Sequence, residues 1–135
     1  MQMALHLKIA GAILVFLALV HVVFPIYFKW KEELQRISLI NRQLIQVHTF
    51  FIALTVFLMG LLALSYPDEL QQAGMGTGIC LALGLFWSVR FVIQFTGYSS
   101  RLWKGKRFET IVHVLFAFIW AYLSFVFLNI YFLWV

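Results

Sequence analysis

The chain has 135 residues, of which 64% are hydrophobic and only 11% are charged. A soluble domain carries about 25% charged residues, so this composition excludes an ordinary soluble protein and indicates an integral membrane protein. The net charge of +5 comes from basic residues that flank apolar runs. That distribution orients a protein in a lipid bilayer, and it lacks the soluble basic module of a nucleic-acid-binding protein. We therefore expect no nucleic-acid partner.

Four apolar runs are long enough to cross a bilayer as helices, which takes roughly 20 residues each. They predict an all-α integral membrane protein, with a single four-helix bundle domain over residues 1–135. The runs cover residues 4–28, 44–66, 74–97 and 108–135.

The first span carries a helix-breaking residue close to its end. Pro25 has no N–H to donate to the carbonyl group of His21, four residues earlier, so a kink or a free acceptor is expected there. The segment that follows, residues 29–43, is predicted to lie in the membrane interface as a short amphipathic helix. Its apolar residues at helical spacing are Trp30, Leu34, Ile37 and Ile40.

The second and third spans differ in how they begin. Span two follows a polar stretch in which Asn41 is predicted to cap the helix N-terminus by accepting from a backbone N–H. Span three is expected to let a neighbouring helix approach closely, because small residues form a ridge along it. The ridge consists of Gly74, Gly76, Gly78, Ala82 and Gly84.

Basic residues concentrate in two of the three loops and predict the orientation of the spans. Eight lysines and arginines lie in the segments after spans one and three, whereas the opposite side offers only Lys8, with Asp68 and Glu69. The positive-inside rule then places the two basic loops in the cytoplasm and both termini on the non-cytoplasmic side. We expect a multi-pass protein of the bacterial inner membrane.

Each span also carries a polar residue at a similar depth below the predicted cytoplasmic surface. Three of the four histidines, His21, His48 and His113, lie roughly 6 to 11 Å below it, at about 1.5 Å of helix per residue. Arg90 and Gln94 are four positions apart, as are Glu109 and His113, so each pair lies on one helix face. Ionisable residues inside a span are costly and by default mark a functional site. This polar belt consists of His21, His48, Arg90, Gln94, Glu109 and His113.

The first hypothesis for the belt is a redox cofactor. Two imidazoles from different helices are the axial ligands that haem b requires, and four-helix bundles commonly hold cofactors between facing helices. His48 and His113 are the preferred pair because their depths match best, with His21 as the substitute. Arg90 would pair with a haem propionate or a quinone head group, and Gln94 completes the predicted cofactor-binding set. In architecture and histidine placement the chain resembles small four-helix membrane cytochromes b and respiratory-complex anchor subunits, which implies electron transport.

The second hypothesis is a non-haem metal site. Three imidazoles and one carboxylate suit iron, copper or zinc, and an open coordination position would allow chemistry on a lipid or a quinone. The ligands are spread over three helices, without the compact spacing that makes a metal motif specific. They are His21, His48, Glu109 and His113.

The third hypothesis needs no cofactor, so the sequence leaves open whether the protein is an enzyme. Arg90 pairs with Glu109, the histidines hydrogen-bond to backbone carbonyls or Gln94, and the chain is a packing or assembly subunit of a larger membrane complex or a homo-oligomer.

Proton or ion translocation is the least favoured function, because the outer half of the bundle has no relay. That half offers only His6, Lys8 and Asn129.

Overall fold

A computed structural model describes residues 2–133, and all regular structure in that range is helical. Four helices are long and apolar enough to cross a membrane, which confirms the all-α prediction with four potential spans and indicates a multi-pass membrane protein. Two short helices and three 3-10 turns connect them. The helices are α1 (Gln2–Val20), α2 (Phe24–Tyr27), α3 (Trp30–Glu33), α4 (Leu39–Ser65), α5 (Met75–Thr96) and α6 (Arg107–Leu133). Residues 134 and 135 of the predicted fourth span lie outside the described range.

The first predicted span is interrupted before Pro25, as the sequence indicated. Helix α1 ends at Val20, a turn follows, and α2 contains Pro25 in its first turn, where no N–H is required. The backbone N–H of His21 donates to the carbonyl oxygen of Ala18, three residues back, at 3.2 Å. This tightening ends α1 and leaves the carbonyl group of Leu17 available to a side chain.

The predicted amphipathic helix over residues 29–43 is wrong in its extent. Helix α3 spans only Trp30–Glu33, a 3-10 turn follows, and α4 begins at Leu39 rather than at residue 44. The reason is the cap: the Ser38 hydroxyl accepts from the backbone N–H of Asn41 at 3.5 Å. Asn41 is therefore inside the helix, and the polar stretch before the apolar run forms the first turns of α4.

Contacts divide the chain into two compact units, which are described separately. The first, residues 8–66, contains most of α1 together with α2, α3 and α4. Its closest helix approach is at Gly11 and Gly60, where a Cβ on Gly11 would lie 2.8 Å from the Gly60 carbonyl oxygen. A side chain at either position would force the two helix backbones apart, so these glycines set the crossing of α1 and α4.

Among the described residues, the second unit combines residues 67–133 with residues 2–7. Its core lies between α5 and α6, with Leu123, Phe127 and Ile130 almost fully buried. The predicted small-residue ridge serves this contact at one position: a Cβ on Gly84 would lie 2.6 Å from the Leu128 side chain, whereas one on Gly78 would meet nothing within 4 Å. Fewer residues of the ridge make a close helix contact than the sequence suggested.

Candidate functional site

The six residues of the polar belt are distributed over both units. His21 lies in the turn after α1 and His48 is exposed on α4, both within residues 8–66. The other four lie in the second unit, where three of them form one hydrogen-bonded network and Glu109 stands apart from it. These four are Arg90 and Gln94 on α5, and Glu109 and His113 on α6.

Gln94 is the centre of the network in the second unit. Its side chain is only 5% exposed. The amide oxygen accepts from Arg90 Nη1 at 3.3 Å and from Trp120 Nε1 at 3.1 Å. The amide nitrogen lies 3.0 Å from His113 Nδ1 and 3.4 Å from the His113 carbonyl oxygen. Every hydrogen-bonding atom of the Gln94 amide therefore has a partner, and the network ties α5 to α6.

The chemistry of the partners fixes the orientation of the amide and the protonation of His113. A guanidinium and an indole N–H can only donate, so the group that faces Arg90 and Trp120 must be the amide oxygen of Gln94. The amide nitrogen then donates to Nδ1 of His113. An accepting Nδ1 means a neutral imidazole with its proton on Nε2. In this arrangement neither ring nitrogen of His113 has a free lone pair for a metal or haem iron.

Aromatic rings enclose His113 on two sides. Trp103 stacks on the imidazole with ring centroids 4.6 Å apart and an interplanar angle of 13°. Phe95 approaches edge-on at 5.9 Å. The loop residue Trp103, which was not part of the predicted belt, thereby covers the ring and helps to hold it against Gln94.

Within its unit, all the partners of Arg90 are neutral side chains. Its Nη2 donates to the Tyr98 hydroxyl at 3.3 Å, and the guanidinium carbon lies 4.8 Å from the Trp120 ring centroid and 5.5 Å from that of Tyr98. Cation–π contacts stabilise a cation without neutralising it. The ion pair with Glu109 that the cofactor-free hypothesis expected is absent from this unit, as far as the described residues extend.

Trp87 completes the aromatic side of the site. It is 2% exposed and stacks on Trp120, with ring centroids 5.2 Å apart and an interplanar angle of 4°. Its Nε1 is the only buried side-chain nitrogen or oxygen without a hydrogen-bond partner among residues 2–133. Trp87, Arg90 and Gln94 lie three and four residues apart on α5, so helical periodicity alone would have grouped them on one stripe. Tyr98 follows Gln94 by four residues, just beyond the end of α5 at Thr96.

The environment of His21 in the first unit is the opposite of that of His113. His21 Nδ1 lies 2.7 Å from the carbonyl oxygen of Leu17. A carbonyl can only accept, so Nδ1 carries the proton and donates, and Nε2 of the neutral ring keeps its lone pair. A backbone carbonyl on Nδ1 is also the arrangement that orients metal-bound histidines.

No protein family, curated protein or solved structure matches this chain. Its function therefore has to be argued from its own side chains. Within residues 2–133, no three His, Cys, Asp or Glu side chains form a group that could hold a metal ion. His21 and His48 belong to a different unit from His113, so the convergence of the three histidines stays a prediction.

Proposed function

We propose that this chain is a non-catalytic subunit that helps to assemble a larger membrane complex. The observation that carries the proposal is the environment of Arg90. Its charge lies on a potential membrane span, and its partners within the unit are the neutral Gln94, Tyr98 and Trp120. A charge in such a position normally pairs with an opposite charge. A carboxylate on a span of a neighbouring subunit would supply it.

The closed network around Gln94 supports the same proposal. A residue that takes part in catalysis must be able to donate, accept or bind at some step, whereas the polar atoms of Gln94 and Nδ1 of His113 are already hydrogen-bonded between two helices. The network presents Arg90 in a fixed place, with its guanidinium lying over Trp120. Arg90 is only half-buried within the chain, so a second helix can reach it.

The test is affinity purification of the tagged chain from mild detergent, followed by native gels and mass spectrometry. We expect a stoichiometric membrane partner, or a second copy of the chain, that carries an acidic residue in a span. Arg90→Gln should reduce its recovery by about tenfold or more, because breaking a buried ion pair is costly. Arg90→Lys should retain it, and Arg42→Gln, which removes an arginine outside the network, serves as the matched control. A monomeric protein, or a complex unaffected by Arg90→Gln, would refute the proposal.

A redox role with haem b or a metal ion is the second candidate. The free Nε2 of His21 supports it, as does His48, whose side chain forms no hydrogen bond among the described residues. Pairing His48 with His113, the arrangement favoured by depth, would first require Gln94 to leave His113. The absorption spectrum of purified protein decides the haem role: a Soret band that shifts on dithionite reduction supports it. A colourless sample without stoichiometric iron, copper or zinc removes this candidate.

The proposed orientation has the two basic loops in the cytoplasm and both termini on the other side, in a bacterial inner membrane. The charge asymmetry of the loops supports it. A single cysteine introduced at Ser99 or Ser100, after replacement of Cys80, should be labelled by a membrane-impermeant maleimide only after the cells are opened. Labelling from outside intact cells would show that the orientation is the opposite of the one proposed.

A further inference from the structure

A cavity of about 700 Å³ lies within residues 8–66, beside the turn that separates α1 from α2. This volume is within the range of roughly 300 to 1,000 Å³ that is usual for ligand sites. We propose that the cavity binds one anionic phospholipid, with the headgroup phosphate held by Lys29 and Lys31. The site is in the other unit from Arg90 and does not depend on the assembly role.

Unused hydrogen-bonding groups on the cavity wall provide the first argument. Thr55, Thr96 and Thr110 each donate to the carbonyl oxygen four residues earlier in their helices. The hydroxyl group of Thr49, which lines the cavity, forms no such bond and has no hydrogen-bond partner within the described residues. The side-chain amide of Gln46, which also lines the cavity, has no partner there either.

His21 lines the same cavity, and because its Nδ1 donates to Leu17, the neutral ring keeps an unused lone pair on Nε2. Polar groups beside an apolar span are normally satisfied. A ligand with hydroxyl and ester groups would provide partners for His21, Gln46 and Thr49.

Charge provides the second argument. Two lysines and one glutamate, Lys29, Lys31 and Glu32, line the cavity, so the net charge of its wall is positive when His21 is neutral. Lys29 has φ 52° and ψ 45°, the left-handed conformation, and is the only non-glycine residue with positive φ within residues 2–133. Such backbone costs about 1 to 2 kcal/mol and tends to persist at functional sites. Here it turns the chain between α2 and α3, so that both lysines line one cavity.

The apolar part of the cavity indicates a lipid rather than a soluble anion. Val22, Ile26 and Phe50 line it and are each more than 60% exposed within the chain. Val22 lies in the turn after α1, Ile26 lies in α2 and Phe50 lies on the potential span α4, so these side chains can contact acyl chains between the cavity and the bilayer. A basic site beside such a surface suits a headgroup phosphate with its chains attached.

The test is native mass spectrometry of detergent-purified protein titrated with phosphatidylglycerol or phosphatidylcholine. We expect one phosphatidylglycerol per chain, bound in clear preference to phosphatidylcholine. Lys29→Gln/Lys31→Gln should weaken this binding by about tenfold or more, since each lysine near an anionic headgroup contributes severalfold to affinity. Arg101→Gln/Lys104→Gln removes the same charge from exposed positions in the other unit and should have little effect. Equal weakening by both variants, or equal binding of the two lipids, would overturn the proposal.

A second pair of variants separates the cavity from general surface charge. Thr49→Val removes the unpartnered hydroxyl at constant shape and should weaken phosphatidylglycerol binding by about threefold, the loss of one hydrogen bond. Thr55→Val makes the same change on the same helix, outside the cavity, and should leave lipid binding unchanged. Circular dichroism confirms that the variants remain helical. A bound quinone in place of phospholipid, or lipid binding equally insensitive to Thr49→Val and Thr55→Val, contradicts the proposed occupant.

Discussion

The two units of this chain use the same kinds of polar residue in opposite ways. In the unit built on α5 and α6, Gln94 has a partner for each of its polar atoms, and His113 accepts from it. In residues 8–66, Gln46 has no partner among the described residues, and His21 keeps a free nitrogen beside a cavity. A polar residue near a membrane span can therefore serve structure or binding, and only its hydrogen-bond partners distinguish the two roles.

The two glutamines give the most direct test of this difference. Gln94→Leu should lower the free energy of unfolding by about 2 to 4 kcal/mol, because it removes four hydrogen bonds and leaves the buried Trp120 N–H and one donor of the half-buried Arg90 unpaired. Gln46→Leu makes the same exchange at an exposed position without partners and should change stability by less than about 0.5 kcal/mol. Reversible unfolding in mixed detergent micelles measures both values. Similar losses for the two variants would remove the distinction between the units.

The four potential spans could be predicted from the sequence because length and hydropathy suffice to define them. Their ends were less accurate: α4 begins at Leu39 since a serine cap extends a helix into a polar stretch that hydropathy excludes. The break at Pro25 was predictable because a missing N–H is a local property. The crossing at Gly11 and Gly60 was missed, since two lone glycines far apart in sequence become informative only when their helices are paired.

The candidate site was predicted in part for similar reasons. The polar belt included Gln94 and His113, whose side chains the structure joins by a hydrogen bond, because polar residues in apolar spans are visible in any sequence. The roles of their partners were not visible: the direction of each hydrogen bond depends on Trp120 Nε1, and the cover over His113 comes from loop residue Trp103. Aromatic residues are so frequent in this chain that composition cannot separate the few in the site from ordinary packing.

Helix packing gives a second, smaller contrast between the units. Gly11→Ala should cost about 1 to 3 kcal/mol of stability, because the new Cβ would meet the Gly60 backbone and force α1 and α4 apart. Gly78→Ala on α5 meets nothing within 4 Å and should be neutral or raise stability by up to about 1 kcal/mol through helix propensity. Thermal unfolding in detergent compares the two. A destabilising Gly78→Ala would indicate that α5 makes a close contact at this point that the described residues do not account for.

The smallest effect tests the network within a single aromatic stack. Trp120→Phe retains a ring but deletes the donor to the Gln94 oxygen, so it should cost about 1 to 2 kcal/mol more than Trp87→Phe, which deletes a donor that has no partner. Both exchanges remove the same volume from buried positions, so the packing loss largely cancels and the difference reports the hydrogen bond. If Trp87→Phe proves the more damaging, Trp87 Nε1 must have a partner in the membrane-embedded protein. An acceptor from the neighbouring subunit proposed for Arg90 would then be the first to examine, because Trp87 stacks on the ring over which the Arg90 guanidinium lies.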